Sequence, residues 1–440
     1  MRDPRPVKLA AGSFLGGAKS RLLPASIPFR FFGAAVVFHL LAWIAAFAGA
    51  ADWPSFAGGL GWPLAALHLV TLGVLAMTAI GASLQLLPVA TRQPVRRVRL
   101  PALIWWLYAP GVAALALGMG TVTPSLLVLG GIGIGAGLLL YAWLLAANLR
   151  GARGMAGIVA HGWAALAALS VVLLTATSLV GTYTGLPLLD RDAALALHVA
   201  FAGYGFMGLL AMGLAYLLVP MFALAPSPDP RMQFASWGGA VVGLGCAGAA
   251  ALGVQPLALR IVALGAGALA VGLHLELMRR ALRDGMRKDL GLSFALVRTG
   301  WTGLVLSLAA ALGVVLDAPV PGLAALFGLL LVGVWLLSFV LGMLQRILPF
   351  LASMHAAVGK HRPPTPSSFT RRRPLAIHFA CHLAALAGLA LAIVAASPLL
   401  AELAAAAGTV GAAAFATFCA QLVQRMNSAA PAAAAVPANA

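Results

Sequence analysis

Hydrophobic positions in this chain do not alternate with polar ones; they run on without interruption. Apolar stretches of roughly 20 residues, the length at which a helix crosses a bilayer, fall at 31–51, 61–88, 101–121, 125–148, 157–181, 193–222, 236–254, 257–282, 291–315, 322–350, 374–396 and 399–423. The pattern predicts an all-α polytopic membrane protein of twelve transmembrane helices. A spanning β-barrel is excluded, because barrel strands need the alternation that is missing here. Composition agrees, since 62% of the 440 residues are hydrophobic and only 9% are charged, which rules out a soluble enzyme.

The net charge of +18 would suggest nucleic-acid binding in a soluble protein. Placed on the spans, it becomes a topology signal. One side carries the arm Arg2, Arg5, Lys8, Lys19, Arg21 and Arg30, then Arg92, Arg96, Arg97 and Arg99, then Arg150 and Arg153. Arg231 follows, then the run Arg279, Arg280, Arg283, Arg287 and Lys288, then Lys360, Arg362, Arg371, Arg372 and Arg373, and finally Arg425. The other side has Asp52, Asp190, Asp192 and Asp317, with Arg191 as the only basic loop residue. The positive-inside rule then puts both termini in the cytoplasm of a bacterial-type inner membrane, in keeping with an even number of spans. The partner these charges imply is the lipid bilayer and not a nucleic acid.

Residues 1–30 are basic and lack a short apolar core with a small-residue cleavage site, so they are expected to stay as a cytoplasmic arm. The membrane domain is expected over 31–426, and the Ala/Pro-rich segment 427–440 reads as a disordered tail. RPPTPSSFTRRRP, within Ser353 to Pro374, marks an extended connector. Cys246, Cys381 and Cys419 stand singly inside apolar segments and read as packing residues.

A repeat divides the twelve spans into three units of four, about 31–150, 157–283 and 291–426. The second, sixth and tenth spans each end on glycine, six residues, proline: GASLQLLP (Gly81 to Pro88), GLAYLLVP (Gly213 to Pro220) and GMLQRILP (Gly342 to Pro349). These recur about 130 residues apart, and Pro124, Pro256 and Pro398 keep nearly the same beat before the fourth, eighth and twelfth spans. Transporters built as six plus six helices do not have this period. Gly73/Gly81 and Gly205/Gly213 lie eight apart on one helix face, where small residues allow helices to approach closely. GGIGIGAG (Gly130 to Gly137) superficially suggests a dinucleotide loop, but it lies inside a span with no preceding strand.

Histidines inside a bilayer are costly and rank first as functional candidates. His68 and His198 stand early in the second and sixth spans, about 10–12 Å below the outer boundary. An imidazole in an apolar bundle suits axial haem ligation; the structural alternative is a histidine hydrogen-bonded to a carbonyl or hydroxyl on the next helix. His68 precedes Gly81 by 13 residues and His198 precedes Gly213 by 15, a difference in direction of about 160° in the repeat frame, so one symmetric site is not required. The third unit offers Leu329 and Phe327 at these offsets. His39, in mid-span, is a candidate second axial ligand. His378 and His382, spaced i, i+4, could share a metal. Arg298 and Arg346 are snorkelling cations or partners of an anion.

Together these residues resemble the haem-copper oxidase subunit I superfamily. The likeness is carried by the three four-helix units, the histidine in the second and sixth spans, H-x-x-x-x-G, G-x-x-Y-x-x-x-P, and the stretch HVAFAGYGFMGLLAMGLAYLLVPMF from His198. PFRFF (Pro28 to Phe32) and ALHVAFAGYGFMG also resemble the NnrS family of nitric-oxide-response membrane proteins. The resemblance implies haem at His68 and copper at His198. It also implies a role in respiratory electron transfer or nitrogen-oxide metabolism, with a redox partner or oxidase subunits. The seventh and tenth spans lack the histidines that complete the family's binuclear site, which argues against oxygen reduction. A transporter or channel, or a non-catalytic assembly subunit, are the alternatives on the same fold.

Overall fold

The computed structural model of the chain describes residues 23–93, 98–356 and 364–429. The arm up to residue 22, Arg96 and Arg97, the connector's Lys360, His361 and Arg362, and the tail from residue 430 lie outside them. Among the described residues there are no strands, and twelve helices are long and apolar enough to cross a membrane. In the first unit these are α1 (Ser26–Ala48), α2 (Trp62–Ala90), α3 (Arg99–Gly120) and α4 (Pro124–Arg150). The second has α5 (Ala156–Thr182), α6 (Arg191–Ala223), α7 (Pro230–Ala251) and α8 (Pro256–Asp284). The third has α9 (Gly291–Val315), α10 (Leu323–Ala356), α11 (Arg372–Val394) and α12 (Pro398–Ala429). The protein is a multi-pass membrane protein.

Boundaries move where a cap or a proline overrides hydropathy. Helix α7 begins six residues before the apolar run, because Asp229 accepts from the Arg231 N–H at 3.0 Å and Pro230 supplies a preset first-turn φ. Asp190 caps α6 in the same way through the Asp192 and Ala193 N–H groups. Helix α12 continues to Ala429, so Asn427 and Ser428 are helical.

The units share one plan. The third and fourth helices pair (α3 with α4, α7 with α8, α11 with α12), and the first packs on the second; α1 also packs on α12, closing the ring. The second helices α2, α6 and α10 form the centre, and each contains a π-helical stretch: Leu69–Ala76, Phe201–Gly208 and Leu329–Leu337. These stretches recur with the period of the glycine–proline motif, so the threefold repeat extends to backbone geometry. Such long π segments are rare and frequent at functional sites.

Close approach of the first and second helices explains the repeat glycines. A Cβ on Gly81 would lie 2.8 Å from the Phe31 Cβ, one on Gly213 2.8 Å from the His161 Cβ, and one on Gly342 2.5 Å from the Ser293 carbonyl oxygen. The upper contact shows an exchange of volume. Gly73 meets Phe38 and Gly205 meets Ala168, whereas in the third unit Val334 stands at the matching position and Gly303 of α9 makes the room. The room that one helix lacks is supplied by its partner.

Short turns, such as Thr121–Thr123 between α3 and α4, make successive helices antiparallel, so Arg150, Arg153, Arg231, Arg371 and Arg425 gather at one end of the bundle. Asp52, Asp190, Asp192 and Asp317 lie at the far end, joined by Arg191 and by Arg260 early in α8. Arg260 adds a second far-end cation to the one counted from the loops.

A Gly73→Ala substitution places a methyl group 2.6 Å from the Phe38 Cβ, an atom fixed to backbone. It is expected to destabilise by about 1–3 kcal/mol, the usual cost of overpacking. Gly131→Ala in α4 meets nothing within 4 Å and is expected to be neutral. Thermal unfolding of the two detergent-solubilised variants checks the contrast; equal midpoints would refute it.

Candidate functional site

The three inner helices are not equally sealed along their length. From Gly73, Gly205 and Trp335 toward the basic end they are buried almost residue for residue, whereas toward the far end residues 70–72, 198–202 and 325–330 are half-buried. His68 and His198 lie in this looser region, just before the π stretches. Their ring centroids are 6.5 Å apart and their planes 25° from parallel. The unequal offsets from Gly81 and Gly213 do not keep them apart. Two side chains meeting across neighbouring units must leave their helices in different local directions, and unequal offsets provide this.

Hydrogen bonding fixes both tautomers. The His68 Nδ1 lies 3.0 Å from the Leu64 carbonyl, which can only accept, so Nδ1 carries the proton. The His198 Nδ1 is 3.2 Å from the Thr175 Oγ1. That hydroxyl directs its own proton to the Val171 and Val172 carbonyls, at 2.9 and 3.1 Å, and therefore accepts from Nδ1–H. The Nε2 of each ring keeps its lone pair and has no hydrogen-bond partner among the described residues. A backbone or side-chain oxygen holding Nδ1–H is the arrangement that orients metal-binding histidines.

The other candidates form a separate set. His39 of α1 lies 5.8 Å from His378 and 6.4 Å from Phe415, and its Nε2 accepts from the Trp43 indole N–H at 3.2 Å. Its ring is therefore directed to α11 and α12, with its acceptor nitrogen already used. His378, 5.6 Å from His382, donates from Nδ1 to the Gly411 carbonyl at 3.2 Å. The His382 Nε2 lies 2.9 Å from the Ser338 Oγ; where that hydroxyl donates to the Gly333 carbonyl, 3.3 Å away, Nε2 is the donor. Three buried nitrogens remain unpartnered: His39 Nδ1, His378 Nε2 and His382 Nδ1. On these tautomers they amount to one donor and two acceptors. A cation would find only two lone pairs and no neutralising carboxylate. The two sets of histidines thus differ in chemistry as well as place: His68 and His198 offer only acceptors.

His161 and His274 flank Tyr216 at 5.3 and 5.2 Å, and Tyr216 donates to the Ser236 Oγ at 3.3 Å. Arg346 donates to the Ser293 Oγ at 2.6 Å and to the Leu290 carbonyl, tying α10 to the start of α9. It holds protein oxygens near the basic end, away from the His68–His198 pair. Thr175, Trp43 and Ser338 were missed in the sequence; isolated hydroxyls in apolar spans are the only signal for Thr175 and Ser338.

Two histidines alone do not complete a metal ion's shell, and no group of three or more His, Cys, Asp or Glu side chains among the described residues is placed to hold one. A haem iron needs only two, because the porphyrin supplies the other four nitrogens. His68 and His198, with ring centroids 6.5 Å apart, are the two side chains that would hold such a haem. In the third unit Gly328 precedes the π stretch as His68 precedes that of α2, and a Cβ there would meet nothing within 4 Å.

No family model and no curated protein matches this chain. The site therefore rests on its own geometry.

Selective histidine ¹⁵N labelling checks the tautomers. His39, His68, His198 and His378 are expected to carry the proton on Nδ1, and His382 on Nε2. A proton on Nε2 of His68 or His198 would remove the lone pair the site requires.

Proposed function

We propose that this chain is a haem-binding protein of the bacterial-type cytoplasmic membrane, similar in architecture to haem-copper oxidase subunit I and acting in electron transfer without a binuclear centre. The observation that carries this reading is the meeting of His68 and His198 from neighbouring inner helices, on near-parallel rings 6.5 Å apart and each held through Nδ1. The threefold arrangement of α2, α6 and α10 supports the likeness to the oxidases. His198 as a copper ligand would need further donors from α7, which contains no histidine, so copper is not part of the proposal.

Leu64 and Thr175 hold the two rings in the tautomer that presents Nε2. The half-buried walls from α2, α6 and α10 limit water, while Tyr204, packed on Trp335 at 5.6 Å and donating to Ser307 at 2.9 Å, fixes α6 against α9 and α10. Haem held by His68 and His198 would supply one-electron transfer. His68 and His198 stand six and seven residues from their helix starts, about 10 Å from the far end. With the basic end in the cytoplasm, a redox partner would meet the opposite face.

A reduced-minus-oxidised spectrum and pyridine haemochrome assay of the purified protein test the proposal. About one haem per chain with a low-spin spectrum is expected from two histidine axial ligands. His68→Ala and His198→Ala should each abolish that spectrum, and Thr175→Val should weaken haem retention about tenfold, as loss of a ligand-orienting partner does. His39→Phe should leave haem content unchanged. Absence of haem, or haem that survives loss of both His68 and His198, would sink the reading.

A further inference from the structure

At the junction of the second and third units, near the basic end, α8 and α9 flank an open surface cleft lined by Gly272, Leu275, Glu276, Arg279, Arg298 and Trp301. Its charges are unevenly satisfied. Glu276 accepts from Arg279 through both oxygens, at 2.7 and 2.8 Å, and from Arg280 at 2.7 Å. Three of the carboxylate's roughly four acceptor positions are thus taken by arginines of its own helix. Arg298, one helix away, is exposed, and its guanidinium has no ion pair or hydrogen bond among the described residues. Trp301 lies three residues on, on the same face of α9, and its indole N–H also has no acceptor.

Depth bears on which ligand the cleft suits. Helix α9 has 25 residues, a length of about 38 Å against a hydrocarbon core of about 30 Å. Arg298 is seven residues from its start, so its Cα lies about 6–7 Å inside the hydrocarbon boundary, within the snorkelling reach of an arginine. Leu275 and Gly272 continue the cleft toward the bilayer centre, and a Cβ on Gly272 would meet nothing within 4 Å. A cation at headgroup level above an apolar groove matches an anion carrying an acyl chain. Arg279 and Arg298 against Glu276 leave the lining one positive charge in excess.

We propose that the α8–α9 cleft is a specific site for an anionic phospholipid, its phosphate held by the Arg298 guanidinium and its acyl chain along Gly272 and Leu275. Arginine suits this role because its planar fork can bind two phosphate oxygens at once.

The test is thermal unfolding of the full chain in detergent, titrated with dioleoyl phosphatidylglycerol, dioleoyl phosphatidylcholine or inorganic phosphate. Phosphatidylglycerol should raise the midpoint saturably and the other two should not. Arg298→Gln should require at least about tenfold more phosphatidylglycerol, the scale of one lost charge-assisted bond. Arg260→Gln, which removes an exposed cation at the far end, should respond as the wild type does. An unchanged response in Arg298→Gln, or an equal one to phosphatidylcholine, would overturn the proposal. A full response to inorganic phosphate would show an anion site without lipid and would overturn it too. Should Arg298→Gln fail to fold, native mass spectrometry of the wild type decides, through retention of phosphatidylglycerol over phosphatidylcholine or its absence.

Discussion

Close approach between the first and second helices of each unit is the constraint on which the structure depends. In lipid there is little hydrophobic gain from pressing one apolar helix on another, so association rests on van der Waals fit and on positions where backbones can meet. Gly81, Gly213 and Gly342 provide one such position per unit, and Gly73, Gly205 and Gly303 a second. The second set matters most for understanding the repeat, because in the third unit the missing side chain has moved to the partner helix. What is kept is the summed volume at the contact, not the residue.

That close packing brings three π-helical stretches into the centre of the bundle. A π turn shifts the hydrogen-bonding register by a residue and alters which side chains face inward. At the basic end of these stretches the helices are sealed; at the far end they are looser, and their contacts diverge. Tyr204, Phe327 and Trp335 join α6 to α10 through aromatic rings, whereas His68 and His198 face one another from α2 and α6. The threefold plan of the backbone therefore carries an asymmetric set of side chains, and the facing histidines occupy one of the three inner contacts.

Donor and acceptor roles, more than distances, separate the histidines. Ring spacings in both sets fall near 6 Å, yet Trp43 uses the acceptor of His39 while carbonyl and hydroxyl oxygens leave that of His68 and His198 free. The His39, His378 and His382 cluster joins α1 to α11 and, through Ser338, to α10. It sits where the first and third units close the ring, and a buried polar cluster with directional partners there favours one closure over near alternatives.

Much of this was legible along the chain. Twelve apolar runs, the alternation of basic and acidic connections and the glycine–proline motif each follow from short-range rules: helix rise against bilayer thickness, charge in short loops, and recurring small residues. The sequence also singled out His68 and His198, because an imidazole inside an apolar run is conspicuous. It did not show that they face one another, that His39 belongs with His378 and His382, or that Thr175 and Ser338 set tautomers. It gave no sign of the π stretches either, since their residues read as ordinary apolar helix. By itself, then, the sequence determined the class, the number of spans and the repeat, which depend on residues near one another in the chain. The pairing of side chains from different units was decided only by the tertiary structure, because it depends on how closely helices separated by a hundred residues or more can approach.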